Sequence, residues 1–195
     1  MVGPCFRDYV WKIDIGDCLF GGFIGAAILG TIMESLGIAD FSIMGAFAFM
    51  LLLGSLFILL QTYDEELSAM NPRDILNCIN KGEGEWEKYS NLPEIEKLEK
   101  AYSLASGRAY EAFKASLIGW IIAGVGNAAL WYAIMEGALP YDSTIIKLAV
   151  VGGPLLGFVL FVLMIFTYLK HKEYDKELFA IQLKKSDKAE ISIKL

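Results

Sequence analysis

Two carboxylates, Glu34 and Glu136, stand where uncharged apolar sequence stops, and an amide, Asn127, lies inside another such stretch. Ionisable side chains at or in a bilayer are costly, and their usual roles are ion, proton or substrate handling. Two acids and an amide could attract or hold a cation, so Glu34, Glu136 and Asn127 form the candidate ion or pairing site. Both acids fall near the end of a run, where a carboxylate reaches water cheaply. Together with Asp40 and Asp142 they make one rim acidic, with Lys147 as its only base. Such a rim concentrates cations at a pore mouth, if a pore is there. Asn127 sits near the middle of its run, where interhelical amide bonds average under about 1 kcal/mol, so structural bonding competes with ligation.

The remaining chemistry is sparse. The chain has one histidine, His171, and three widely spaced cysteines, Cys5, Cys18 and Cys78. Bis-histidine haem ligation needs two imidazoles, and histidine-based metal centres fail on the same count. His171 reads as an interfacial residue beside Lys170 and Lys172, and the cysteines as free thiols rather than a disulfide framework or zinc site. No Cys-x-x-Cys, Gly-x-Ser-x-Gly, His-Glu-x-x-His or phosphate-cradling glycine loop occurs. The expectation is a protein without catalytic, cofactor or metal site, hence no enzyme. A net charge of −6 with no basic stripe also argues against nucleic-acid binding.

Four apolar runs must position these groups. Sixteen uncharged residues separate Asp17 from Glu34, and the stretches 41–63, 115–135 and 148–169 supply twenty-three, twenty-one and twenty-two more. A helix needs about 20 apolar residues to cross the hydrocarbon core. Three runs reach that length, and the first does so if Glu34 sits at the interface. The fold class predicted is an all-α integral membrane protein with four transmembrane helices, arranged as two hairpins, and a short cytoplasmic helical segment. Sixteen of the seventeen Lys and Arg residues fall before the first run, between the second and third, or after the fourth. Basic residues accumulate on the cytoplasmic side. Both termini and the middle segment are therefore expected to be cytoplasmic, in a cell membrane or the inner membrane of an organelle. The polar lead and the lack of a small-residue cleavage site do not resemble a cleavable signal peptide.

The expected division is an interfacial N-terminal segment (1–16), a first transmembrane hairpin (17–63), a cytoplasmic helical connection (64–111), a second hairpin (112–170) and a cytoplasmic tail (171–195). Phe6, Tyr9, Trp11 and Ile13, mixed with Arg7 and Lys12, suit a bilayer surface. Asn71-Pro72 reads as a cap and first helical residue of a short helix ending at Lys81-Gly82. A polar loop holding Trp86 follows, and Pro93 opens a helix that nothing stops before the third run. That helix carries Ile95, Leu98, Tyr102, Ala105 and Ala109 at alternating spacings of three and four, the rhythm of a packed seam. Packing within the chain and docking of a partner helix are both consistent with it. Glu96 and Lys100 are expected to pair at i, i+4 on its flank.

Small residues mark close helix contact. Gly21, Gly22 and Gly25 line one face of the first run, and Gly153 and Gly157 lie in the fourth beside Pro154, which should bend its helix. These five are the candidate helix-packing interface. The halves also resemble each other. With residue 22 set on 124, six of thirteen positions through Glu34 and Glu136 are identical, the pattern of a parallel internal repeat. The function expected is a non-catalytic subunit or scaffold of a membrane complex. Its partners would be the lipid bilayer and other membrane subunits or further copies of itself. The alternative is a small cation channel or transporter with an acidic outer mouth.

Overall fold

The computed structural model of the protein describes residues 14–35, 37, 43–63, 71–82 and 86–193. The expected interfacial segment lies mostly outside them, as do Cys5 and Asp40. The described residues form six helices and no strand. In chain order they are α1 (Ile15–Ser35), α2 (Ile43–Gln61), α3 (Pro72–Lys81), α4 (Glu87–Ser90), α5 (Glu94–Met135) and α6 (Thr144–Ile193).

The local chemistry of the ends explains where helices start and stop. Asn71 caps α3 by accepting the amide of Arg73 at 3.1 Å, and Pro72 takes the first helical position, where its missing N–H is not needed. Gly82 closes α3 at φ 64°, donating to the carbonyl of Cys78. At the end of α5, Gly137 adopts φ 71°. Its amide reaches the Ile134 carbonyl at 3.0 Å, and the Ala138 amide reaches that of Ala133 at 2.9 Å. This is a Schellman closure, which satisfies the carbonyls a helix end leaves open.

Three helices, α1, α5 and α6, are long and apolar enough to cross a membrane. The apolar part of α2 is shorter, Gly45–Gln61. α5 and α6 hold 42 and 50 residues. They run roughly 63 and 75 Å at 1.5 Å per residue, about twice the hydrocarbon thickness. The helix continues through Pro154 and beyond the fourth apolar run, so the expected C-terminal tail is a prolongation of α6 as far as Ile193.

The chain divides into two units. The apolar unit comprises Ile13–Thr62 and Lys114–Met164. Its core contains Ala26, Met33, Ala48, Phe49, Leu52, Leu130, Ala133, Leu139 and Ile146. α1 and α2 pack closely in it, because small residues let the backbones approach. A Cβ at Gly22 would lie 2.4 Å from the Met50 carbonyl oxygen and 2.6 Å from the Gly54 amide nitrogen. α2 also lies antiparallel to α5. Gly45 meets Leu139, Gly126 meets Leu51 and Leu52, and Gly119 meets Ile58.

In its described residues, the charged unit is built from Tyr63–Phe113 and Ile165–Leu195. Its core joins Ile75, Cys78 and Ile79 of α3 to Trp86, to Ala101, Leu104, Ala105 and Ala109 of α5, and to Tyr174 of α6. Small alanines let a neighbouring helix approach, and Trp86 is the largest fully buried side chain of this core.

The residues matched in the two halves do not share surroundings. Gly22, Ala26 and Met33 are buried, whereas Gly124, Ala128 and Met135 are exposed, Met33 at 0% and Met135 at 75%. A two-fold repeat would bury equivalent positions. The buried stripes coincide instead when residue 18 is set on 115, which lays Gly22 on Gly119 and Ala26 on Ala123.

Candidate functional site

Glu34 and Glu136 stand exposed, the first in the last turn of α1 and the second immediately after α5. Asn127, in the middle of the apolar part of α5, donates from Nδ2 to the Ala123 carbonyl at 2.9 Å. Its Oδ1 is buried without a hydrogen-bond partner and rests over Gly153 of α6. The amide fits there because position 153 has no side chain. Gly21, Gly22 and Gly25 all face α2, against Phe57, the Met50–Gly54 backbone and Leu53. Four of the five packing glycines thus meet side chains or backbone of this chain. Gly157 meets open space.

The seam on α5 faces its own unit. Ala105 and Ala109 are buried among Ile75, Cys78 and Ile79, and Tyr102 sets its ring edge-on to Tyr174 at 6.2 Å. Ile95 and Leu98 are half-buried. The flanking charges pair across helices. Lys185 of α6 lies 3.3 Å from Glu96 and 2.9 Å from Glu99, and Gln182 donates to Glu99 as well. Lys100, the expected partner of Glu96, lies over the Tyr89 ring instead. The bonds from Lys185 and Gln182 hold the Glu99 carboxyl below its ordinary range, and the bonds to Glu99 and Glu96 raise Lys185. A lowered acid stabilises above its ordinary pKa and loses that contribution as pH falls through the depressed value. A raised lysine does the opposite, so the clasp holds from mildly acidic to moderately alkaline conditions. It is lost in strong acid as Glu99 protonates and in strong alkali as Lys185 loses its proton.

A polar cluster that the sequence did not announce lies deeper in the charged unit. Ser106 of α5 is 5% exposed. Its Oγ lies 2.9 Å from Nδ1 of His171 and donates to Oδ1 of Asp175 at 2.5 Å. Nε2 of His171 lies 3.4 Å from Oδ2 of the same carboxylate. The ring of Tyr110 covers the imidazole at 5.1 Å between centroids. His171 is half-buried and joins α6 to α5. The legible signal was an acid four residues after the only histidine, on one helix face. Ser106 is 65 positions from His171, and no local pattern connects them.

The cysteines divide as well. Cys18 is free and buried, with Sγ 3.3 Å from the Gln61 side-chain oxygen. Cys78 departs from the expected free thiol, because it is disulfide-bonded. Among the described residues, no three His, Cys, Asp or Glu side chains group as metal ligands. No family model matches the chain, and no curated protein or solved structure is significantly similar to it.

Proposed function

We propose that the chain is a non-catalytic subunit or scaffold of a membrane complex, with four spans and both termini on the cytoplasmic side. The fourth span is α2. Its 19 residues extend about 28 Å, close to the hydrocarbon thickness. It shares a core with α1 and α5, each apolar enough to cross, and keeps antiparallel contact with α5 from Gly45 to Ile58. A helix packed along its length against spanning helices spans with them. The orientation rests on the sixteen basic residues that such a topology gathers on one side.

The observation that carries the subunit reading is the surroundings of Gly124 and Gly152. Glycine inside a helix costs about 1 kcal/mol relative to alanine. At Gly22 that cost is offset by close backbone approach to α2. Gly124 and Gly152 are exposed, and a Cβ on either would meet nothing within 4 Å. Gly124 is followed by exposed Ala128 one turn on, between exposed Trp120 and Trp131. A small-residue face framed by large aromatics fits the close approach of a helix from another chain. The exposure of Glu34 and Glu136 is consistent with solvated acids rather than a closed ion site.

The test is Gly124→Leu in the full chain, purified in mild detergent from its native membrane. The side chain has room, so insertion and unfolding temperature should be unchanged. Co-purifying membrane chains, read by mass spectrometry, should fall at least tenfold. An unchanged set of co-purifying chains, or a lone monomer in the wild type, would contradict the proposal.

A further inference from the structure

The sequence has three cysteines, and the structure settles the state of two. Cys18, on α1 in the apolar unit, is free, with its thiol 3.3 Å from the Gln61 side-chain oxygen. Cys78, on α3 in the charged unit, is disulfide-bonded. Its side chain is 1% exposed and lies on the α3 face that carries Ile75 and Ile79 into the core. Cys5, the remaining cysteine, lies outside the described residues. A bond within the chain leaves Cys78 no other partner.

We propose that Cys78 is joined to Cys5, so that one covalent bond ties the chain ahead of α1 to the helix that follows α2. The consequence for topology follows from two lengths and rests on the membrane reading above. A disulfide holds its two Cα atoms within about 7 Å, whereas the hydrocarbon core is about 30 Å thick. Both cysteines therefore lie on one side of the bilayer, and an even number of crossings separates them. α1 is long and apolar enough to cross. α2 must then bring the chain back. The basic residues flanking this hairpin, Arg7 and Lys12 before it and Arg73 and Lys81 after it, ask for the same side. The bond reaches that conclusion without using charge.

The bond forms by exchange with an oxidant of the disulfide class. One cysteine thiolate attacks the external disulfide and expels a thiol, and the second attacks the mixed disulfide and expels the other. Two protein thiols and one external disulfide become one internal disulfide and two external thiols, the protons passing to the departing sulfurs. Reversal needs a thiolate to reach sulfur, and cytoplasmic thiols keep most exposed cysteines reduced. Burial of Cys78 among Ile75, Ile79 and Trp86 shields its sulfur while the unit is folded.

The experiment is a disulfide map of the full chain. Membranes are denatured in excess N-ethylmaleimide, and the chain is digested without reductant and read by mass spectrometry. The map reads the bond whichever chains co-purify, so its failure is distinct from failure of the subunit reading. The wild type should give one peptide pair joining Cys5 to Cys78, with the maleimide on Cys18 alone. Cys5→Ser should release Cys78 as an alkylated thiol. It should also lower the unfolding midpoint in detergent by roughly 5–15 °C, because no closed loop then restrains the unfolded chain. In a Cys78→Ala background Cys5→Ser should add nothing, since the two changes remove one bond. Should Cys78→Ala not fold, the map and Cys5→Ser decide the question alone. Recovery of wild-type Cys78 as a thiol, or joined to Cys18 or to a second copy, would overturn the proposal.

Discussion

Gly22→Ala should disrupt the α1–α2 hairpin even though it adds a single methyl group. The new carbon would fall within 3 Å of the Met50 carbonyl oxygen and of the Gly54 amide nitrogen and Cα. These are backbone atoms of a helix, and they cannot rotate aside. Overpacking of this kind typically costs about 1–3 kcal/mol, sometimes more. It should appear as a lower unfolding temperature in detergent, and Gly22→Leu should be worse. Other glycines calibrate the effect. Gly153→Ala would meet the Asn127 carboxamide, a side chain that can turn away, so its cost should be smaller and largely rescued by Asn127→Ala. Gly124→Ala meets nothing and should be neutral or stabilising by up to about 1 kcal/mol. Equal tolerance at positions 22 and 124 would mean that α1 and α2 do not make the close contact described.

Trp86→Ala should have the largest effect in the charged unit. Trp86 is 0% exposed and contributes to a core otherwise made of small and medium side chains. Truncating a buried tryptophan leaves a cavity and costs about 3–5 kcal/mol. Much of that cost should remain local. Hydrogen exchange should speed up in α3 and in the first part of α5, while amides of the apolar unit keep their protection. Unchanged exchange in α3 would remove Trp86 from the core assigned to it.

How far the sequence announced this architecture depended on the range of each interaction. The α3 boundaries were legible because Asn71, Pro72 and Gly82 act on residues within one turn of themselves. The apolar runs were legible because hydrocarbon thickness sets a length that composition reports directly. Partners far apart in sequence were not. Glu96 looked paired with Lys100, yet Lys185 takes it from another helix. Trp86 was assigned to a polar loop by its neighbours, although its own ring belongs to the core. The matched halves followed identities at offset 102, whereas burial follows offset 97, because packing reads helix faces and not residue names. Asn127 was singled out as an amide inside an apolar run, but its seat over Gly153 depended on how α5 and α6 align.

The most direct measurement of the membrane account asks on which side of the bilayer each end of α2 lies. In sealed, oriented vesicles, an impermeant thiol reagent applied from one side would probe single cysteines introduced at Gly37, Arg73, Pro140 and Lys176. Four spans predict that Gly37 and Pro140 react from the outer side, and that Arg73 and Lys176 react only from the side that carries most of the basic residues. If Gly37 and Arg73 react from the same side, α2 does not cross, the chain has three spans, and the topology proposed here is wrong.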